Sequence, residues 1–354
     1  MCLETVIISL DNLKTKKMKK EEFCNFVGID VSKKTLDSVF IFNNEIEKST
    51  HQQYSNDAEG IKKLMNYVKK QKGVTPTNTL YCFEHTGIYG RKLAFSLSEK
   101  QWCVWIEMPV SILRSMGLQR GKNDKVDAKR IAIYAMKNNE QAKLWEEPRK
   151  EVETLRQLLT TRERLINSLM ALKAPVKEFK QSGNKDLASI IEQSIKNAVN
   201  GLEKDIKKTE QAMNELVIND EVLAKLFILV TSVIGVGQIT AVELICFTNE
   251  FKMYSEAKQL ACYCGVAPFE HTSGTSVRGK TRVSKMANKS LKTKLHLCAM
   301  VAIQYDTELK TYYNRKVKEG KNKMLVINAV RNKLVHRITA VVKRQTPFIN
   351  KNAA

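Results

Sequence analysis

The stretch FCNFVGIDVSKKTLDSVF, residues 23–40, places a carboxylate inside what reads as a buried strand. Phe26, Val27, Ile29 and Val31 make one strand-forming run, and Leu36, Val39 and Phe40 make a second. The polar Ser32, Lys33 and Lys34 lie between them, so a β-hairpin is predicted. Asp30 sits among apolar neighbours, where an ionised carboxylate is costly unless it is paired, solvated or bound to metal. Outward from this hairpin, AEGIKKLMNYVKKQ (58–71) has helical spacing and NTLYCFE (78–84) reads as a short buried strand. KLAFSLSEK (92–100) suggests another helix, WCVWIEM (102–108) another strand, and the opening stretch a further helix. Strands alternating with helices predict an α/β domain over residues 23–147, behind a tail at 1–22.

Glu84 ends its strand directly before the turn HTGIYG, as Asp30 sits within its own. Neighbouring strands of one sheet would bring these two acids together. The stretch RGKNDKVDAKRIAIYAMKN (120–138) adds Asp124 and Asp127 at the head of an amphipathic run. Two readings of that pair stay open. An aspartate before an apolar-periodic run is a helix cap, and a second acid in the first turn suits the helix dipole. Residues three apart also share a helix face, so both carboxylates could reach one cation. Four clustered carboxylates repel unless divalent cations lie between them. Hard oxygen ligands of this kind select Mg²⁺ or Mn²⁺. Such a site can activate a nucleophile and stabilise a leaving oxygen at a phosphodiester. The order strand-Asp, strand-Glu, helix-Asp-x-x-Asp is what an RNase-H-like nuclease sheet requires.

From residue 148 to 222 the periodicity changes. EVETLRQLLTTRERLINSLMALK (151–173) and DLASIIEQSIKNAVNGLEKDIKKTEQAMNELV (186–217) repeat apolar positions at three- and four-residue steps. They predict a helical coiled-coil arm, with Pro175 and QSGNKD near its turn. Residues 223–345 open on LFILVTSVIGVGQITAVELICF (226–247), which reads as a helix-hairpin-helix with Gly235 and Gly237 in the hairpin. Such glycines let backbone N–H groups approach a DNA phosphate, although an ordinary αα turn reads the same way. A polar, glycine-rich loop is expected at 267–290, followed by basic helices and a short tail at 346–354. The fold class predicted is therefore α/β plus all-α.

The 354 residues include 59 Lys and Arg against 37 Asp and Glu, a net charge of +22. Residues 271–354 alone hold 19 basic and 3 acidic side chains. A field of this sign attracts polyanions, with nucleic acid foremost. The basic residues alternate with apolar ones, which predicts folded helices with basic faces. The eight cysteines are scattered and lack zinc spacing, so reduced thiols in a cytoplasmic protein are expected. The start carries no evident secretory signal, and the longest apolar run, LFILVTSVIGVG, is too short to span a bilayer.

GIDVSK (28–33), EHTGIYG (84–90) and KNDKVDAKRIA (122–132) resemble three blocks of the DEDD insertion-sequence transposases related to Piv-type DNA invertases. The amino-terminal domain of that family is similar to the RuvC Holliday-junction resolvase. IGVGQITAVELI (234–245), YCGVAPFEHTSG (263–274) and VSKMANKSLK (283–292) resemble blocks of its carboxy-terminal domain. Six blocks in order, across residues 23 to 340, make the resemblance specific. It implies that Asp30, Glu84, Asp124 and Asp127 are metal carboxylates. It further implies that a serine, here Ser273 with Ser276 as the fallback, attacks DNA to form a phosphoserine intermediate. Arg278, Lys280, Arg282, Lys285 and Asn288 would then hold phosphates nearby. A structured noncoding guide RNA, donor and target DNA, and a homodimer or tetramer are the partners implied, with no membrane. Two departures stand out: Met108-Pro109 where relatives often have Asn-Pro, and Ala287-Asn288 where they often have Gly-Asn. A resolvase-like nuclease without a covalent intermediate and a non-enzymatic nucleic-acid scaffold are the competing readings.

Overall fold

Residues 25–41 form the predicted hairpin, strands β1 (Asn25–Val31) and β2 (Thr35–Ile41), with Ser32 Oγ accepting from the Thr35 amide at 2.9 Å across the turn. The computed structural model describes residues 23–115, 123–254, 256–273 and 277–349. The helix expected in the opening stretch lies outside them. Strand β3 (Thr50–Ser55), helix α1 (Ala58–Lys69), β4 (Thr79–Glu84), α2 (Arg91–Glu99), β5 (Cys103–Glu107), α3 (Pro109–Ser115) and α4 (Asp124–Asn138) follow. The sheet runs β3-β2-β1-β4-β5, with β2 antiparallel to both neighbours and β1, β4 and β5 parallel. Strand β3 was not predicted because THQQYS has no apolar alternation. It lies at the edge of the sheet, where polar side chains are the rule.

Both sheet faces are covered. Val27, Ile29, Val31 and Phe40 pack with Ile61, Leu64 and Val68 of α1 and with Leu93, Ala94 and Leu97 of α2. Phe26, Val39, Leu80, Cys82 and Trp105 face the other way, against Ala128, Ile131, Ala132 and Ala135 of α4. Helix α4 lies almost on the β1 backbone. A Cβ at Gly28 would collide with main-chain atoms of Ala128 and Ala132.

The described residues divide into two compact units between Glu147 and Pro148. The second unit begins with α5 (Lys150–Gln181) and α6 (Lys185–Ile218), a helical hairpin joined across Ser182–Asn184. Pro175 lies inside α5 rather than at the turn. Ion pairs Arg162–Glu210 (2.7 Å), Lys173–Glu203 (2.6 Å) and Lys180–Glu192 (2.7 Å) follow an antiparallel register. The base of the hairpin shares a core with α7 (Glu221–Thr231) and α8 (Gln238–Phe247): Val152, Leu155, Leu159, Met213 and Val217 meet Leu223, Leu226, Val242 and Ile245. Then come α9 (Ala257–Tyr263), strands β6 (Pro268–Ser273) and β7 (Val277–Val283), and helices α10 (Lys289–Tyr305), α11 (Thr307–Lys318) and α12 (Lys323–Arg344). The stretch expected as a loop at 267–290 is thus largely an antiparallel two-stranded ribbon. Its β-branched Thr272, Val277, Thr281 and Val283 suit extended backbone better than its glycines suggested. No helix among the described residues is long and apolar enough to cross a membrane.

Arg149 ties three segments of this unit together. Its Nη1 and Nη2 each donate to Asp220 at 2.8 Å, and Nη2 also reaches Glu250 at 2.5 Å. Asn249, Glu250 and Phe251 all have positive φ (47°, 58°, 64°), a run of left-handed non-glycine residues that costs roughly 1–2 kcal/mol each. Burial works against the charge of Glu250. Hydrogen bonds from Arg149 and Lys252 outweigh it and hold the carboxyl below its ordinary value. Asp220 is held low chiefly by its hydrogen bonds from Arg149.

Two outcomes follow from this packing. Gly28→Ala should destabilise the first unit by about 1–3 kcal/mol or more, because two backbones must separate, and denaturant unfolding would measure it. Arg149→Ala should cost on the order of 3 kcal/mol by removing the paired donors of Asp220 and leaving the buried Glu250 carboxylate to Lys252 alone. Both acids have depressed pKa values when folded, so their contribution is present above about pH 4 and fades as pH falls through the lowered values. The gap in Tm between wild type and Arg149→Ala should therefore narrow below about pH 4.

Candidate active site

Strand pairing aligns four acidic residues in one row. Ile29 pairs with Phe83 in parallel register, and one step further sets Asp30 beside Glu84. Glu84 pairs with Glu107 on β5, and Asp30 pairs with Asp37 on β2. Residues paired in register share a sheet face, and the period of two puts this row on the face that carries Phe26, Gly28 and Cys82. That is the face covered by α4. The sheet therefore presents Asp37, Asp30, Glu84 and Glu107 on four neighbouring strands, at the carboxyl ends of β1, β4 and β5. Cys82, one position back on the same face, reports the local charge. Burial pushes its thiol well up, and the carboxylates of Glu107 and Glu84 push it further.

Asp37 and Glu107 lie at the two ends of the row. Asp37 is buried and takes Gln53 Nε2 at 3.0 Å, with His51 Nε2 also 3.0 Å away. Glu107 accepts from its neighbour's amide, Met108 N, at 2.7 Å and from the Tyr134 hydroxyl of α4 at 3.4 Å. The Tyr134 phenol is pushed up to about 12, first by burial and then by Glu107. Glu107 escaped the sequence reading although it carried the signal used for Glu84, an acid at the end of a strand.

Helix α4 brings the remaining pair. Its cap is Asn123, whose Oδ1 accepts from Lys125 N at 3.0 Å with extended backbone at φ −155°. Asp124 is therefore the first helical residue and not the cap, which corrects the capping reading; its side chain is exposed. Asp127 is only 24% exposed and takes Arg130 Nη1 at 2.6 Å. It directly precedes Ala128, whose carbonyl lies against Gly28, two residues before Asp30. The register and this crossing bring Asp30, Glu84 and the first turn of α4 to one end of the sheet. The donor set is all carboxylate, which suits a hard divalent cation. As the side chains stand, no three His, Cys, Asp or Glu among the described residues are close enough to hold a metal ion.

In the second unit, Ser273 is the last residue of β6, paired in register with Val277, and Ser276 lies outside the described residues. Arg278, Lys280 and Arg282 belong to β7, and Lys285 follows it; Arg282 and Lys285 are exposed. Gly237 caps α8 with open space around its α-carbon. Gly235 has φ +95°, and a Cβ there would stand 2.6 Å from the Cys298 carbonyl, so packing against α10 already demands a glycine. Asn288 caps α10, accepting from Leu291 N at 3.0 Å, and donates to the Tyr263 hydroxyl at 3.1 Å. The Cβ of the preceding Ala287 fills the space beside Gly265, which has φ +64°.

Comparison with known proteins finds two matched regions in the chain. The transposase model DEDD_Tnp_IS110 matches residues 27–179, and the model for the transposase IS116/IS110/IS902 family matches residues 228–314. The pilin gene-inverting protein of Moraxella bovis is 27% identical over 327 residues, covering 91% of this chain and 97% of the relative. That of Moraxella lacunata is 28% identical over 334 residues, with the same coverage. An uncharacterized protein of insertion element IS110 from Streptomyces coelicolor is 35% identical over 91 residues, 26% of this chain and 22% of the relative. Residues 27–179 and 228–314 are therefore transposase domains of the IS110 family, and the chain is an enzyme of the transposase/DNA-invertase kind, which cuts and rejoins DNA.

Proposed function

We propose that this chain is the transposase of an insertion sequence, a site-specific recombinase that joins DNA strands through Ser273 with support from Asp30, Glu84, Asp124 and Asp127. The observation that carries the carboxylate part is the register that sets Asp30 beside Glu84 on the face crossed by α4. An antiparallel hairpin continued by parallel strands, with acids ending adjacent strands, is also what an RNase-H-like reading of the sheet requires. Asp30, Glu84 and Asp127 would hold Mg²⁺ or Mn²⁺, with Asp124 able to join from the same helix face. Bound there, the ion supplies Lewis-acid stabilisation of charge at a phosphodiester.

Ser273 Oγ would attack phosphorus, giving up its proton and releasing a deoxyribose hydroxyl. The phosphoserine ester keeps the energy of the broken bond, so a hydroxyl from another strand can reverse the step and rejoin the DNA. Arg278, Lys280 and Arg282 of the ribbon and Lys285 just after it would lie along the phosphates, with Gly237 and Asn288 at helix starts and Gly235 in the turn before Gly237 as further phosphate contacts. The pilin gene-inverting relatives support inversion-type recombination for this chain. The charge of +22 supports binding to more nucleic acid than one DNA site, and we include a guide RNA and a dimeric or tetrameric assembly in the proposal.

The test is a denaturing gel of full-length protein, co-expressed with its flanking DNA and incubated with Mg²⁺. Wild type should give a protein–DNA adduct. Ser273→Ala should abolish it, and Asp30→Asn or Glu84→Gln should lower it by about 10²–10³-fold. Ribonuclease treatment before DNA addition should also remove the adduct if a guide is bound. An adduct that survives Ser273→Ala would move the nucleophile to Ser276. Cut DNA without any adduct would establish the resolvase-like nuclease instead.

A further inference from the structure

The carboxylate row raises an electrostatic problem that the fold itself must solve. Glu84 and Glu107 stand on register-paired positions of neighbouring strands, as do Asp30 and Asp37, and like charges directly opposite destabilise a sheet. Asp37 is relieved by Gln53 and His51, and Glu107 by Tyr134 and the Met108 amide. Asp127 is relieved by a full positive charge. Arg130, one turn along α4, places Nη1 2.6 Å from Asp127 Oδ1, and both side chains are mostly buried, at 17% and 24% exposure. A pair this sheltered is screened far less than a surface pair. It also occupies an oxygen that the metal reading needs. As the side chains stand, no three His, Cys, Asp or Glu among the described residues are close enough to hold a metal ion.

We propose that Arg130 is a built-in counter-ion, a positioning residue that holds Asp127 until a divalent cation displaces it. In this role Arg130 sets the metal concentration at which the carboxylate site forms. The guanidinium and the cation compete for Asp127 Oδ1, so the arginine lowers metal affinity while keeping the acidic end of the sheet folded without metal. The inference rests on the proposed metal role of the carboxylates, and its test separates the two.

Full-length wild type, Arg130→Gln, Arg130→Lys and Asp127→Asn would be compared by Mn²⁺ titration, read by electron paramagnetic resonance, and by thermal unfolding in EDTA and in Mn²⁺. Arg130→Gln should bind Mn²⁺ about tenfold more tightly, since one nearby positive charge is gone. Its Tm should fall in EDTA and recover in Mn²⁺. Arg130→Lys, which keeps the charge but loses the planar fork, should fall between wild type and Arg130→Gln, and it tests the idea even if the glutamine variant folds poorly. Asp127→Asn should weaken Mn²⁺ binding. Unchanged or weaker Mn²⁺ binding in Arg130→Gln, with the same loss of Tm in both conditions, would make Arg130 purely structural and overturn the inference. Mn²⁺ binding that ignores Asp127→Asn in wild type would sink the metal reading, and the inference with it.

Discussion

The first unit depends on the near-contact of two backbones. Gly28 has no side chain, and Ala128 and Ala132 have the smallest ones, so helix α4 can lie directly on strand β1. Strand register sets the acidic row, and that closeness sets where α4 crosses it. Asp30 is two residues along the strand from the crossing, and Asp127 is one residue before it along the helix. The glycine of the block GIDVSK is thus a packing requirement of the crossing between α4 and β1.

Much of this arrangement was legible in the sequence because strands and helices differ in period. The hairpin around Ser32–Lys34, the strand ending at Glu84, and the helix from Asp124 all stand where alternation and helical spacing put them. What was lost had physical causes. Strand β3 is polar on both faces, so hydropathy could not mark it. The ribbon of β6 and β7 was masked by glycines and hydroxyls that read equally well as a loop. Asp124 looked like a cap because aspartate and asparagine serve that role alike, and only the dihedrals at Asn123 decide between adjacent candidates. Asp37 was passed over because pairing, not composition, places it beside Asp30, whereas Glu107 carried the strand-end signal of Glu84 and only pairing showed the two to be neighbours.

The basic carboxy-terminal quarter is folded much as its mixed pattern suggested, but its charges divide into two populations. Arg337 is bound to Asp306 and Glu308, and Lys294 to Glu163 and the buried Glu243. Arg331 is buried against His296. Lys289, Lys310, Lys318, Lys321 and Lys323 remain exposed. The first set holds the helices together, and the second gives the surface its field. The paired set is already cancelled by its acids in the net charge, so the positive excess is carried mainly by the exposed set.

The paired helices α5 and α6 carry a mechanical consequence. Each is over 30 residues long, roughly 50 Å at the rise of an α-helix. The hairpin is anchored at its base by buried Val152, Leu155, Leu159, Met213 and Val217, and Val176 and Ala188 are buried near its tip. Along its outer half, two of the pairs joining the helices, Lys173–Glu203 and Lys180–Glu192, are about half exposed. Hydrophobic anchorage is indifferent to moderate salt, whereas exposed pairs weaken as ions screen them. The hairpin is therefore a lever of graded stiffness, rigid at its root and softening toward its tip as ionic strength rises.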